Sequence, residues 1–468
     1  MNHSKQKKNK KKDIMQKGII ILFWLCVWQI LALITDNSIL LVGPMQAGEV
    51  FLHNLLDPSF WKIVLFSLGR IGLGFFLALF IGIVLGVFAY KQRFIEMLFE
   101  PLMATLKSIP VVSFVVLLLI WFGSVWLSFF ISFIVVLPNI YVNTVSGLKS
   151  TDKELMEMAE VFHIGHFNRF FYIYRPALMP YLISALKISL GMSWKSGVAA
   201  EVIGMPQYSL GERLYISKIY LDTAELFSWT LTVILLSFVF EKTVLYVVKC
   251  FDAWNPVPVR KSVKAADRME NIKSSESDIE LKAVCKSYGG QKIIDDFSCT
   301  IKQGGHYCLT APSGAGKTTL LKLINRIEQP DSGTIEIGSG QDCRIGMVFQ
   351  EDRLCGKYNT ITNVMIAAKA SLSREDIYEE AAKILPKDCL EKPVSELSGG
   401  MKRRCAILRA MLSESDIVIM DEPFNGLDKE NREKTAAYIQ GKINGKTLLI
   451  TTHRGEDIEL TGGVTIGL

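Results

Sequence analysis

The sequence has no CxxC cysteine pair, no internal repeat, and no small-residue cleavage site after its first apolar run. Its nine cysteines are odd in number and scattered without metal-ligand spacing, which favours reduced thiols packed as small hydrophobic groups. The missing cleavage site argues against a removed leader peptide. Apolar residues, by contrast, make up 50% of the chain and are concentrated in its first half.

These apolar residues divide the chain into two parts. Long apolar runs dominate from Gly18 to about Cys250, whereas from Asp278 onward the charge is mixed and strand-like runs alternate with helical patterns. A membrane span needs roughly 20 mostly apolar residues. About six segments qualify, over residues 18–34, 64–90, 102–122, 125–145, 181–203 and 227–248. The sequence predicts an α-helical membrane domain of about six spans followed by an α/β domain, divided into a basic tail (1–17), the membrane domain (18–250), a solvated linker (251–277) and the soluble domain (278–468).

Charge placement predicts the orientation in the membrane. The basic run from Lys5 to Lys12 directly precedes the first apolar segment. A nucleic-acid-binding arm is the alternative, but a cytoplasmic topology signal is the favoured interpretation. Loops predicted to lie inside carry Lys91, Arg93, Lys149, Lys153, Arg169 and Arg175, whereas the first outside loop carries Asp36, Glu49 and Asp57 against Lys62. We expect a multi-pass protein of the cell membrane with its N-terminus and its soluble domain in the cytoplasm.

A phosphate-binding loop is indicated in the soluble half. The stretch TAPSGAGKTT, Thr310 to Thr319, follows the strand-like HYCLT and precedes the helix-like TTLLKLINRI, the order that such a loop requires. Gly314 and Gly316 would let backbone N–H groups wrap the phosphates, helped by the positive end of the helix. Lys317 is placed to reach the β- and γ-phosphates, and Thr318 to bind Mg²⁺.

A second stretch, VIMDEPFNGLD, supplies two adjacent carboxylates. Its apolar residues predict a buried strand that presents Asp421 to Mg²⁺ or to its bound water and places Glu422 to polarise an attacking water. A strand that ends in an acidic turn is common by itself. After a phosphate loop it points to nucleotide hydrolysis.

With LSGGMKRR, Leu397 to Arg404, between them, these motifs resemble the ATP-binding-cassette (ABC) ATPases over nearly all of the soluble half. The resemblance implies an α/β P-loop NTPase cassette that binds ATP and Mg²⁺. It implies Glu422 as general base, Asp428 in the loop that links two sites, and His453 as the residue that steadies the γ-phosphate. The implied nucleotide and metal contacts are Tyr288 on adenine; Ser313, Gly314, Ala315, Gly316, Lys317, Thr318 and Thr319 on the phosphates; Thr318, Gln350 and Asp421 on the metal; and Ser398, Gly399 and Gly400 on the γ-phosphate of an opposite cassette.

The chain departs from the ABC pattern at two places and contains half of what the mechanism needs. Ala311 stands where the phosphate-loop pattern begins with glycine, and Met401 stands where the signature commonly has glutamine. In this family each ATP is held between one phosphate loop and the signature of another cassette. Since this chain has one of each, we expect a homodimer, without a nucleic-acid partner.

The membrane half carries a second resemblance. The loop from Glu154 to Leu182 resembles the EAA coupling loop of binding-protein-dependent importers, with matches at Glu157, Ala159, Phe170, Ile173, Pro176 and Pro180 and with His163 in a position usually held by glycine. The stretches 100–123 and 191–214 are similar to permeases of nitrate, sulfonate, taurine and related small solutes. The resemblance implies a helix near Met156 to Phe162 that docks on the cassette, a type I ABC importer-like fold, and an extracytoplasmic solute-binding protein as partner.

Two other functions stay open at this point. An exporter half-transporter, working without a binding protein, also has a membrane segment before its cassette, although exporters reach the cassette with longer helical extensions. A regulator that only signals its nucleotide state is disfavoured because Lys317, Asp421, Glu422 and His453 are all present. Charged residues within spans are candidate pathway residues because they are costly there. They are Lys107, Lys187, Lys195 and Glu201.

Overall fold

The computed structural model describes residues 2–259, 278–312, 314–338, 343–443 and 445–468. Its contacts group the chain into two compact units, residues 1–150 with 178–254, and residues 151–177 with 255–468. Residues 151–177, which the sequence boundaries placed in the membrane domain, therefore cluster with the soluble part. Most of the predicted linker, from residue 260 onward, lies outside the described residues.

Helices make up the chain up to residue 253. In chain order they are α1 (Asn2–Thr35), α2 (Pro44–Leu55), α3 (Pro58–Lys91), α4 (Arg93–Ser108), α5 (Val111–Phe122), α6 (Leu127–Lys149), α7 (Lys153–Val161), α8 (His166–Arg169), α9 (Arg175–Gly204), α10 (Leu210–Ile219) and α11 (Thr223–Ala253), with a π-helical turn at Phe170–Tyr174. Helix α1 runs through most of the predicted basic tail. Between α5 and α6 the chain turns at residues 123–126, where Gly123 has φ +71°.

Among the described residues, fewer helices than the expected six spans are long and apolar enough to cross a membrane. Four helices in the described part of the chain are long and apolar enough to cross a membrane, and a fifth span results if α4 and α5 count as one broken span. These two helices bend by 102°, because Pro110 between them cannot continue the hydrogen-bond ladder of α4. Helix α9, over the predicted span 181–203, has 30 residues and contains Lys187, Lys195 and Glu201.

Glycines allow α3 and α6 to pack closely. A Cβ atom at Gly74 would lie 2.2 Å from the Phe129 carbonyl oxygen, and one at Gly86 would lie 2.7 Å from the Thr144 side chain. Small residues at such contacts let helix backbones approach, which is how helices associate in a lipid environment.

Two sheets form the framework of the second unit. The strands are β1 (Ile279–Tyr288), β2 (Gln291–Ile301), β3 (His306–Thr310), β4 (Ser332–Ile337), β5 (Ile345–Val348), β6 (Ile417–Asp421), β7 (Thr447–Thr451) and β8 (Val464–Gly467). Strands β2, β1 and β4 form an antiparallel sheet in that order, and β5-β6-β7-β3-β8 form a parallel sheet. Strands β6 and β7 are buried at every residue, as the centre of a parallel sheet requires.

Helices cover the parallel sheet and bring polar residues to the carboxyl ends of its strands. They are α12 (Lys317–Ile324), α13 (Thr360–Met365), α14 (Arg374–Ile384), α15 (Gly399–Leu412), α16 (Lys429–Lys442) and α17 (Gly455–Thr461). In the register of β6 and β7, Asp421 lies beside Thr451. Ligand sites of open α/β sheets form at this edge, and the acidic pair of the sequence is placed there.

Candidate nucleotide site

The phosphate loop joins β3 to α12, as the sequence predicts. Gly314 and Gly316 have φ of +83° and +93°, which side chains rarely adopt, so glycine is needed at both positions. Ala311, at the departure from the pattern, does not adopt a positive φ. The Lys317 ammonium donates to the carbonyl oxygens of Ala311 at 2.6 Å and Pro312 at 3.1 Å. Ser313 lies outside the described residues, and Ala315 lies within the loop.

Asp421 ends β6 and faces the first turn of α12. The Thr318 hydroxyl donates to Asp421 Oδ2 at 2.8 Å, and the Thr451 hydroxyl donates to Asp421 Oδ1 at 2.6 Å. A hydroxyl and a carboxylate at this separation are oxygen donors of the type that Mg²⁺ prefers, together with phosphate oxygens and water. The donor set therefore fits Mg²⁺ bound with a nucleotide.

Glu422 is held in a strained conformation beside His453. Its φ is +48°, in the left-handed region that non-glycine residues seldom occupy. Its backbone N–H donates to the Thr451 hydroxyl at 3.0 Å, and its carboxylate lies 3.5 Å from His453 Nδ1. Residues held in such strained backbone conformations cluster at functional sites. The two residues that the sequence pairs as base and γ-phosphate contact are thus adjacent.

Tyr288, Thr319 and Gln350 are less closely joined to this centre. The Tyr288 side chain is 46% exposed at the end of β1, and its hydroxyl donates to the Glu328 carboxylate. Desolvation and this carboxylate raise the pKa of Tyr288 to about 12, with Thr319 as a further contact of the hydroxyl. Gln350 follows β5 and is exposed, and its backbone carbonyl accepts a hydrogen bond from Arg403 at 3.2 Å.

The signature residues form the beginning of α15. Ser398 is the N-cap, and its hydroxyl accepts from the Met401 N–H at 3.4 Å. Gly399 and Gly400 form the first helical turn, so their N–H groups and the helix N-terminus are available to an anion. Met401 takes part through its backbone, which explains why glutamine is dispensable for the cap.

Asp428 caps the helix that follows the acidic pair. Its carboxylate accepts from the backbone N–H of Asn431 at 2.8 Å and from the Asn431 side chain at 2.9 Å. These hydrogen bonds lower the pKa of Asp428, so that it stays ionised. Asp428 therefore fixes the start of α16 after the NGLD segment.

Sequence reasoning gave no role to the arginines around the Gln350 loop. Arg403 and Arg409 of α15 are buried, and both donate to this loop. Arg403 belongs to the LSGGMKRR stretch, but the stretch does not predict the partners of its side chain, which lie far along the chain. Thr451, which contacts both acidic residues, was also without a role although it lies in the TTH segment.

Helix α7 confirms the predicted short helix and packs on the cassette core. Met158 and Ala159 are buried in the same hydrophobic cluster as residues of β1, β3 and β6. Glu157 Oε2 lies 2.7 Å from Arg353 Nη1, and the Arg353 guanidinium lies 4.0 Å from the centre of the Phe349 ring. The EAA-like segment therefore contacts the loop that follows β5.

The backbone conformation at His163 is one that favours glycine, the residue that the EAA pattern usually has there. Its φ is +48°, and the chain turns there between α7 and α8. Desolvation and the neighbouring guanidinium groups of Arg344 and Arg169 lower the pKa of His163, which keeps the imidazole neutral at pH 7. His166 begins α8. The structure thus accommodates the departure from the EAA pattern as a left-handed turn.

The charged residues of the predicted spans differ in their surroundings. Glu201 is fully buried and accepts from the Ser67 hydroxyl at 2.7 Å, the Ser128 hydroxyl at 3.1 Å and the Gly211 N–H at 3.4 Å. These bonds tie α3, α6 and the start of α10 to α9, so Glu201 has a structural role in the first unit. The three lysines, Lys107, Lys187 and Lys195, are exposed.

Comparisons with known proteins match both parts of the chain. Residues 78–252 match the family of binding-protein-dependent transport system inner membrane components, and residues 294–425 match the ABC transporter family. The Nod factor export ATP-binding protein I of Paraburkholderia xenovorans (strain LB400) is 35% identical over 199 residues, 39% of this chain and 65% of that protein. The lipoprotein-releasing system ATP-binding protein LolD of Bacteroides thetaiotaomicron is 32% identical over 196 residues, 37% of this chain and 89% of that protein.

This chain spans about two thirds of the Nod factor relative's length. A solved dimeric structure of a bacterial ABC transporter cassette is 28% identical, with a TM-score of 0.37 and coverage of 41% of this chain and 94% of that one. The cassette match and the likeness to LolD, which covers 89% of that protein, agree with the site geometry, and the permease match agrees with the helical first unit. The chain belongs to the ABC transporter family, as a permease-type membrane segment fused to an ABC ATPase cassette.

Proposed function

We propose that the chain is one half of an ATP-driven importer for a small solute of the nitrate, sulfonate or taurine type, which a solute-binding protein delivers. The observation that carries the proposal is the contact of Glu157 with Arg353. It joins an EAA-like loop, typical of binding-protein-dependent importers, to the cassette that holds the nucleotide site. The membrane-segment match to binding-protein-dependent components supports the same direction.

Hydrolysis follows from the positions of the acidic pair and the phosphate loop. In the proposed reaction the carboxylate of Glu422 accepts a proton from water while the water oxygen bonds to the γ-phosphorus. The bond between that phosphorus and the bridging oxygen of ADP breaks, which yields ADP and phosphate. Lys317 and the N–H groups of the loop would offset the charge of the phosphates, and His453 would hold the γ-phosphate.

Thr318 and Asp421 would hold Mg²⁺, with Gln350 reaching it from the loop after β5. When bound, Mg²⁺ neutralises charge on the β- and γ-phosphates. The Thr318 hydroxyl and the Asp421 carboxylate already lie within hydrogen-bond distance. A metal bound between them would replace that bond.

The active form would be a homodimer in the cell membrane with its cassettes in the cytoplasm. The N-terminus of α15 presents Ser398, Gly399 and Gly400, and the expected occupant is the γ-phosphate held by a second copy. The basic loops at Lys91, Arg93 and Lys149 favour the cytoplasmic side for the cassette. Domain bounds of 18–250 for the permease and 278–468 for the cassette belong to this proposal.

Export is the competing function. The names of the relatives carry it, since one is a Nod factor export protein and another belongs to a lipoprotein-releasing system. Both are named as ATP-binding proteins, so their likeness concerns the motor. The membrane segment of this chain has its own match, and that match is to a binding-protein-dependent component.

The test is the ATPase activity of the purified full chain in lipid, for the wild type and Glu422→Gln. Candidate binding proteins loaded with a sulfonate, nitrate or taurine are added one at a time. Import predicts that one loaded binding protein stimulates wild-type hydrolysis and that Glu422→Gln abolishes it. Hydrolysis that no binding protein changes, but that solutes on the cassette side stimulate, would favour export.

A further inference from the structure

Arg403 joins three segments around the nucleotide site through one buried side chain. It lies in α15 and is 4% exposed. Its Nη2 donates to the carbonyl oxygens of Asp421 at 2.7 Å and Glu422 at 2.9 Å. Its Nη1 donates to the carbonyl oxygens of Phe349 at 2.5 Å and Gln350 at 3.2 Å, and to the Asp352 carboxylate at 3.2 Å.

The hydrogen bonds of Arg403 Nη2 fix the backbone of Glu422. The strained residue has its N–H bound to the Thr451 hydroxyl and its carbonyl bound to Arg403. Both peptide groups that flank its φ and ψ angles are therefore held. A left-handed conformation is unfavourable for a residue with a side chain, and such strain persists only where the surroundings fix it.

The hydrogen bonds of Arg403 Nη1, together with those of Arg409, fix the loop that follows β5. Arg409 donates to the carbonyl oxygens of Asp352 at 3.2 Å and Arg353 at 2.7 Å, while Arg353 pairs with Glu157 of α7. Two arginines of α15 thus hold the loop, and the EAA-like segment also contacts it. Arg403 is the residue that contacts both this loop and the Glu422 backbone.

We propose that Arg403 is a positioning residue that keeps Glu422 aligned and makes that alignment depend on the loop that α7 contacts. The inference rests on the proposed ATPase activity. A guanidinium offers planar, forked donors that serve both sets of acceptors at once. A lysine ammonium is a single point of charge and cannot replace this geometry.

The test compares Arg403→Lys with Arg374→Lys in the full chain in lipid. Arg374 begins α14 and donates to the Glu391 carboxylate at 2.8 Å and 3.0 Å, away from the residues of the nucleotide site. For Arg403→Lys we expect kcat of ATP hydrolysis to fall about 10- to 100-fold with KM for ATP within about threefold, as a misplaced catalytic group gives. Stimulation by a loaded binding protein should also be lost.

A second measurement does not require turnover. The Asn425 N–H donates to the Glu422 carbonyl at 3.1 Å, so loosening at Glu422 should speed amide hydrogen exchange at Glu422 and Asn425 by about tenfold or more. Arg374→Lys should leave both rates near those of the wild type. Equal losses of kcat in the two variants, or unchanged exchange at these two amides in Arg403→Lys, would overturn the role of Arg403.

The exchange measurement separates this inference from the proposed function. If the wild type does not hydrolyse ATP, the proposed function fails, yet exchange still reports whether Arg403 holds Glu422. If Arg403→Lys does not fold, Arg403→Gln, which keeps an N–H donor, is measured in the same way. Faster exchange at Glu422 and Asn425 supports the inference in either variant.

Discussion

Removing the Glu157 carboxylate leaves the Arg353 guanidinium without its 2.7 Å partner. The Arg353 side chain is 6% exposed and stays over the Phe349 ring, whereas the Glu157 side chain is 36% exposed. A second carboxylate near Arg353 is that of Glu351, 3.8 Å away and 57% exposed. A pair with so exposed a carboxylate contributes little, so Glu351 does not replace Glu157. Glu157→Ala should therefore loosen α7 on the cassette.

The magnitude follows from this burial. Hydrogen bonds to charged groups contribute about 1.5–3 kcal/mol, and exposed ion pairs about 0.2–1 kcal/mol. With one buried and one part-exposed member, we expect a coupling free energy of about 1–2 kcal/mol between Glu157 and Arg353. This corresponds to about a 5- to 30-fold change in the opening equilibrium of α7.

The assay is a double-mutant cycle read by amide hydrogen exchange of α7 in the lipid-embedded chain. The Phe162 N–H, bonded to the Met158 carbonyl at 3.1 Å, is a suitable probe. Glu157→Ala, Arg353→Ala and the double variant are compared with the wild type, and Glu160→Ala, exposed on the same helix, is the matched control. Additive effects within about 0.3 kcal/mol would refute the reasoning, because independent sites add to that precision.

Three other substitutions test the turn at His163, the buried Lys446 and the proposed metal ligand Thr318. His163→Gly should raise the free energy of unfolding of the cassette unit by about 0.5–1 kcal/mol, since glycine removes the left-handed strain at φ +48° but gains entropy in the unfolded chain. Calorimetry of the full chain, with His166→Gly as the control, measures this change. An unchanged or lower transition temperature would contradict the prediction. Desolvation lowers the pKa of Lys446 to about 8; the unfolded chain then binds more protons, so stability should rise from about pH 8 to about pH 10.4, and thermal unfolding of Lys446→Met should lack this rise. Thr318→Val should raise the Mg²⁺ concentration needed for half-maximal ATPase activity at least about tenfold, with Thr318→Ser near the wild type; equal Mg²⁺ requirements in both variants would remove Thr318 from the metal site.

The cassette was predictable because its signals are local. A strand, a glycine loop and a helix follow one another at Thr310 to Thr319, and an apolar strand ends at Asp421. Each motif fixes its own backbone, and a parallel sheet brings strand ends to one edge. The meeting of Thr318 with Asp421 therefore follows from pattern and topology together.

The role of Arg403 was not predictable for the opposite reason. Its acceptors are carbonyl oxygens of Phe349 and Glu422, residues 54 and 19 positions away. Backbone carbonyls leave no sequence signal, and an arginine in a helix is ordinarily read as a solvated residue. The left-handed conformation of Glu422 is likewise invisible in the sequence.

The membrane half shows where composition misleads. Residues 102–122 are apolar enough to read as one span, yet Pro110 divides them into α4 and α5. Over 181–203 the apolar average conceals Lys187, Lys195 and the buried Glu201. Length and hydropathy alone do not show a bend or a buried hydrogen-bonded carboxylate.

The proposal of ATP-driven import is decided by the direction of transport in proteoliposomes. The full chain is reconstituted with its cassettes facing the lumen, ATP and Mg²⁺ are enclosed, and a binding protein loaded with a labelled sulfonate or nitrate is added outside. Import predicts accumulation of label in the lumen that requires enclosed ATP and the loaded binding protein and that Glu422→Gln abolishes. ATP-dependent loss of enclosed label from the lumen, with no need for a binding protein, would contradict it.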